Sequence, residues 1–203
     1  MKMIHLPDGT EIPGVGQGTW YLGEEHSKRS SETQTLRWGA QNGLTLIDTA
    51  EMYGDGASEK LVGHAIEPLD RGKLFLVSKV YPWNAGRRSI FDSCQDSLDR
   101  MGTDYLDLYL LHWRGSIPLS ETVACMEELK AQGKIRCWGV SNFDLDDMQE
   151  LLRLKHGENC AVVQDLYHLG SRGVEFDLLP FLRRQGIPLM AYSPLAQAGR
   201  LRQ

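Results

Sequence analysis

Six apolar runs of strand length recur along the chain, and each ends on or beside a polar side chain. They occupy 44–48, 74–79, 108–112, 138–142, 162–164 and 188–193, closing on Asp48, Lys79, His112, Asn142, Gln164 and Ser193. Amphipathic segments separate them. Strands buried on both faces read as near-continuous apolar runs, and helices alternating with them imply a parallel sheet. A doubly wound sheet and a closed barrel share that alternation. Polar residues at one strand end after another favour the barrel, whose chemistry sits at the C-terminal ends of its strands.

The segments between the runs carry their own punctuation. Helices are predicted over 30–42, 58–66, 89–100, 120–132, 144–155 and 176–185. Gly43, Gly102, Gly133 and Gly186 stand where glycine closes helices, Ser58 and Asp144 where side chains cap their starts. The acids Asp144, Asp146 and Asp147 suit the positive end of a helix dipole better than a cation site. Residues 15–19 form a short first strand loosened by Gly16 and Gly18, and 4–6 pairs with 11–13 as a hairpin around Gly9. Seven strands with helices between them and no linker imply one domain over 1–203. A full barrel has eight strands and typically ~250 residues. The expected fold is therefore a (β/α)8 TIM barrel truncated after its seventh strand, with an N-terminal β-hairpin capping one end.

Composition narrows the function classes. The 203 residues are 41% hydrophobic and carry a formal net charge of -5 without a basic block, so nucleic acid is not the expected partner. Neither a signal peptide nor a membrane-spanning run is present, and a cytoplasmic protein with reduced thiols is expected. Cys94, Cys125, Cys137 and Cys160 lack metal-ligand spacing, and the six histidines are scattered, so no metal site is expected.

Asp48, Tyr53, Lys79 and His112 fall at or just beyond three neighbouring strand ends. Tyrosine, with a pKa of about 10, is a poor acid near neutrality. A lysine ammonium beside it is expected to lower that value, and Asp48 would keep the buried lysine charged. His112 would orient a carbonyl oxygen next to the phenol. Trp20, Trp83 and Trp113 sit in strand-end loops, where they either wall a substrate pocket or pack on helices.

Three segments then resemble the aldo-keto reductase family: Asp48-Thr49-Ala50-Glu51-Met52-Tyr53-Gly54 with Glu59 and Gly63, 98–108 through His112-Trp113, and 133–136 through Gly139-Val140-Ser141-Asn142-Phe143. The likeness is greatest to the bacterial branch that reduces small aldehydes and dicarbonyls such as methylglyoxal. It implies a (β/α)8 barrel that binds NADPH without a Rossmann fold, and a small-molecule carbonyl substrate. Tyr53 would be the general acid tuned by Lys79 and Asp48, with His112 positioning the carbonyl. Ser141, Asn142 and Gln164 match residues holding the nicotinamide carboxamide, Tyr192 the aromatic stacked on the ring, and Ser193-Pro194-Leu195 the stretch near the pyrophosphate. Thr19 and Trp20 match the first loop, close to cofactor and substrate. Val163 replaces the usual Asn before Gln164. The segment that grips the adenosine 2'-phosphate follows strand eight in the family and has no counterpart in this sequence. A monomer or weak oligomer is expected. An NADP-binding regulatory module and an inactive truncated barrel are the competing readings; the retention of all four polar residues favours the enzyme.

Overall fold

The computed structural model describes residues 2–196. A hairpin of β1 (Met3–His5) and β2 (Glu11–Pro13) comes first. The repeating part follows: β3 (Gln17–Gly18), α1 (Arg29–Gln41), β4 (Leu46–Asp48), α2 (Ala57–Ile66), β5 (Phe75–Val80), α3 (Ile90–Met101) and β6 (Leu106–Leu111). It continues with α4 (Leu119–Ala131), β7 (Ile135–Ser141), α5 (Leu145–Arg153), β8 (Cys160–Leu166), α6 (Leu178–Gln185) and β9 (Leu189–Tyr192). Strands β3 to β9 form one sheet in sequence order, every pair parallel. The sheet curls on itself: Gln164 on β8 hydrogen-bonds Asp48 on β4 at 2.7 Å, although three strands lie between them.

Side chains alternate between two cores, as the two-residue period of a strand requires. Ile47, Leu76, Val80, Tyr109, Leu111, Trp138, Val140 and Val163 pack outward against the helices. Leu46, Phe75, Val77, Leu108, Leu110, Cys137 and Val162 fill the interior. Leu6 and Ile12 of the hairpin segment join the interior cluster and plug the N-terminal end, as the sequence led one to expect. The four cysteines are buried and unpaired.

Some boundaries differ from expectation. Strand β3 is only two residues long. Helix α2 starts at Ala57 after Gly56, which takes a positive φ of 82°. Ser58 is therefore no N-cap; its hydroxyl donates to the carbonyls of Thr19 (3.0 Å) and Leu22 (2.6 Å), tying α2 to the loop after β3. Asp144 does cap α5, reciprocally with Asp147.

Helices α2 and α3 meet closely beneath β5. Fully buried Glu59 accepts from Ser78 Oγ (2.5 Å) and Arg100 Nε (2.5 Å), joining both helices to the strand. Gly63 permits this approach, since a Cβ there would lie 2.9 Å from the Arg100 carbonyl oxygen and 3.0 Å from Met101 Cα. Backbone cannot yield as a flexible side chain can. Gly63→Ala should therefore lower stability by roughly 1–3 kcal/mol in urea unfolding; an unaltered midpoint would refute the close-packing argument.

Candidate functional site

The inward register of each strand, followed to its C-terminal end, arrives at a polar or aromatic residue. Leu46 leads to Asp48, Phe75 and Val77 to Lys79, Leu108 and Leu110 to His112. Cys137 leads to Ser141, Val162 to Gln164 and Met190 to Tyr192. Six functional candidates thus face one mouth because each shares the parity of the apolar residues below it.

Lys79 is the centre of this cluster and is wholly buried. Its ammonium has three hydrogens to place. They go to Asp48 Oδ1 at 2.6 Å, the Thr49 carbonyl at 2.8 Å and Tyr53 Oη at 3.2 Å. Burial works against the lysine's charge, but Asp48 and Tyr53 reverse the balance and hold its pKa above the ordinary value. The second oxygen of Asp48 accepts from Gln164 Nε2.

Tyr53 departs from expectation. Burial raises its pKa and outweighs the opposing pull of Lys79, while Asp48 adds to the rise. The phenol is therefore firmly protonated at neutral pH, and lysine alone does not make it more acidic than free tyrosine. His112 meets Tyr53 edge-on, ring centroids 5.8 Å apart. Burial, followed by repulsion from Lys79, pushes its pKa down to about 3, so the imidazole is uncharged. Its Nδ1 is buried with no partner among the described residues.

Asn142, at a positive φ of 57°, acts as a hub. Its Nδ2 donates to the His112 carbonyl (2.9 Å) and to Ser141 Oγ (3.1 Å), and its Oδ1 accepts from Tyr192 Oη at 2.9 Å. These bonds commit its amide. The Ser141 hydroxyl hydrogen and Gln164 Oε1 have no partner among the described residues. One donor and one acceptor are what a carboxamide requires, so Ser141 and Gln164 fit a nicotinamide amide directly, with Asn142 holding Ser141 and Tyr192 in place. Thr19 is buried beside the site, but its hydroxyl donates to the Asp48 carbonyl at 3.0 Å; its side chain braces β4. Ser193, Pro194 and Leu195 follow β9 beyond Tyr192; Ser193 adopts a positive φ of 49° and Leu195 is exposed.

Aromatic rings flank the mouth on two sides. Trp20 is tilted toward Tyr53 with centroids 6.4 Å apart and stacks on Tyr21. Opposite, Trp113 lies 4.7 Å from His112 and meets Trp83 edge-on at 5.8 Å. Trp83 is 61% exposed and stacks on Tyr81, so it does not pack on a helix. Sequence reasoning missed Tyr81, the Thr49 carbonyl and Glu51. The last stood in plain view inside the Asp48–Tyr53 segment.

A groove of about 970 Å³ lies at the opposite end of the strands, lined by Lys60, His64, Arg71, Asp99 and Tyr105. Its arginines are already committed: Arg71 to Asp107 and Arg100 to Glu59. Among the described residues no cluster of metal-ligating side chains occurs, and no helix is long and apolar enough to cross a membrane.

Comparisons with known proteins agree with this geometry. A model described as "Aldo/keto reductase family" matches residues 14–203. Methylglyoxal reductase YeaE of Escherichia coli (strain K12) is 63% identical over 201 residues, covering 99% of this chain and 70% of the relative. An NADH-specific methylglyoxal reductase of the same organism is 34% identical, covering 96% of this chain and 68% of the relative. A crystal structure of an aldo/keto reductase from Klebsiella pneumoniae, in complex with NADP and acetate, superposes with a TM-score of 0.96 at 56% identity. That likeness covers 100% of this chain and 71% of the other. The chain belongs to the aldo/keto reductase family.

Proposed function

We propose that this protein reduces small aldehydes, ketones and dicarbonyls to alcohols with NADPH, using Tyr53 as the proton donor. The observation that carries the reading is the triple commitment of the Lys79 ammonium to Asp48, Thr49 and Tyr53. Such a buried relay, aimed at a mouth between aromatic rings, suits proton delivery to a carbonyl oxygen. The names of the relatives support a methylglyoxal-like substrate. The NADP in the Klebsiella pneumoniae structure supports the phosphorylated cofactor over NADH.

Ser141 and Gln164 would hold the carboxamide, and Tyr192 would stack on the nicotinamide ring. Bound in that place, the reduced nicotinamide supplies a hydride to the carbonyl carbon. Tyr53 donates its hydrogen as negative charge builds on the carbonyl oxygen, which becomes far more basic than a phenolate. The phenolate left behind is stabilised by the Lys79 ammonium. Uncharged His112 orients the same oxygen through a ring N–H and spends no charge doing so. Trp20 and Trp113, with Trp83 further out, wall off the substrate and lower the local dielectric.

Three experiments test this reading. Tyr53→Phe should reduce NADPH consumption with methylglyoxal by at least about a hundredfold, the usual scale of general acid catalysis, while cofactor affinity persists; full residual turnover would reject Tyr53 as the acid. Tyr192→Ala should weaken NADPH binding by about two- to twelvefold, corresponding to the ~0.5–1.5 kcal/mol of an aromatic stack, in a fluorescence titration. Unchanged affinity would remove Tyr192 from the cofactor site. The pH profile of kcat/KM should show no inflection near 6.5, the ordinary histidine value, because His112 stays neutral down to about 3. Its alkaline limb should lie above the ordinary tyrosine value, since Tyr53 is shifted upward. An inflection near 6.5 that His112→Gln abolishes would overturn the neutral-imidazole assignment.

A further inference from the structure

Glu51 is a buried carboxylate with no place in the proton relay. It lies between Asp48 and Tyr53 in the loop after β4, where the backbone ladder with β5 continues: Thr49 N–H donates to the Val77 carbonyl and Glu51 N–H to the Lys79 carbonyl. That continuation carries the Glu51 side chain past the end of β5. There Oε1 accepts from the Tyr81 backbone N–H at 2.5 Å and from Asn84 Nδ2 at 3.3 Å. The two donors bracket a 3-10 turn, Pro82–Asn84, that bears Trp83. Tyr81 stacks on Trp83 with centroids 4.3 Å apart, and both meet Trp113 edge-on at 6.0 and 5.8 Å.

Pro82 of this turn is buried, but Trp83 at its crown is 61% exposed. The Asn84 N–H to Tyr81 carbonyl bond closes the turn upon itself and fastens it to nothing. The carboxylate anchors both ends of the turn to the loop that carries the phenol. Glu51 is buried, 8% exposed, so water competes poorly for its acceptor. An unpaired carboxylate there would carry a desolvation cost that its two donors offset in part.

Resting on the reductase reading of Tyr53, we propose that Glu51 is a positioning residue for substrate. It acts through the Tyr81–Asn84 turn to hold the Tyr81–Trp83–Trp113 wall at a fixed distance from the proton donor. The substrate class this favours is aldehydes with a flat aromatic or apolar body, which lies along the wall. A compact dicarbonyl reaches Tyr53 and His112 without touching the outer rings. Glu51 thus sets the preference between the two classes and has no part in proton transfer.

The test compares Glu51→Leu and Glu51→Ala, which remove the acceptor, with Glu51→Gln, which keeps a carbonyl oxygen for the same donors. Affinity for benzaldehyde and for methylglyoxal is read by tryptophan quenching in the NADP complex, which needs no turnover. Whichever acceptor-free variant folds should lower the benzaldehyde-to-methylglyoxal affinity ratio about tenfold and alter the near-UV circular dichroism of the aromatic cluster. In steady-state assays KM for benzaldehyde should rise more than kcat falls. Glu51→Gln should restore the ratio, and in a Trp83→Ala background Glu51→Leu should change it no further. Equal weakening of both aldehydes, an unchanged ratio, or failure of Glu51→Gln to restore it would overturn the proposal. Absent turnover in the parent protein would instead strike the reductase reading alone, because the binding ratio and the circular dichroism still decide what Glu51 does.

Discussion

The ammonium of Lys79 is the group on which the site's geometry depends. A charge with no access to water needs every hydrogen satisfied, and Lys79 has three acceptors for its three hydrogens. Each acceptor is thereby located. Asp48 is held at the end of β4, the Thr49 carbonyl fixes the start of the following loop, and the phenol of Tyr53 is drawn in from that loop's far side. Breaking a buried pair by removing one partner costs about 3–5 kcal/mol. The Tyr53 phenol is therefore placed by the same interaction that keeps a charge tolerable inside the barrel. Gln164 extends this arrangement across the interior to β8 through the other oxygen of Asp48.

Strand parity explains how so many polar groups converge without a dedicated scaffold. Apolar residues on the inward register fill the lower barrel, and the hairpin residues Leu6 and Ile12 seal it. Polar residues on the same register, one or two steps further along each strand, then have only the open mouth to face. The outward register carries the complementary role. Ser78, adjacent to Lys79 but of opposite parity, donates to Glu59, which also accepts from Arg100 beneath the helices. One strand thus serves the chemistry with one residue and the helix packing with the next.

Much of this was legible in the sequence, and the exceptions have physical causes. Continuous apolar runs ending in Asp48, Lys79 and His112 gave the strands, their order and the face that carries the chemistry. Ser58 was misread because a serine ahead of an apolar-periodic segment resembles an N-cap. The left-handed Gly56 instead starts the helix one residue earlier, and frees the hydroxyl for Thr19 and Leu22. The direction of the Tyr53 shift was misjudged because proximity to lysine is readable from spacing, whereas the depth of burial that outweighs it is not. Asn142 was matched to the carboxamide site by resemblance, whereas its bonds to His112, Ser141 and Tyr192 show only in the coordinates. Glu51 lay unremarked because a carboxylate in a polar loop gives no sign that its partners are a backbone N–H and an amide thirty residues away.

The buried sulfurs bear on how such a protein withstands its own chemistry. Dicarbonyls are electrophiles, and the thiolate is the form of cysteine that captures them. Burial pushes Cys94, Cys137 and Cys160 up to about 12 and raises Cys125 as well. At physiological pH these sulfurs stay protonated and shielded, so the folded protein offers an electrophilic dicarbonyl few internal thiol targets for adduct formation. Unfolding would expose all four at once, making covalent damage a consequence of lost structure and not of turnover.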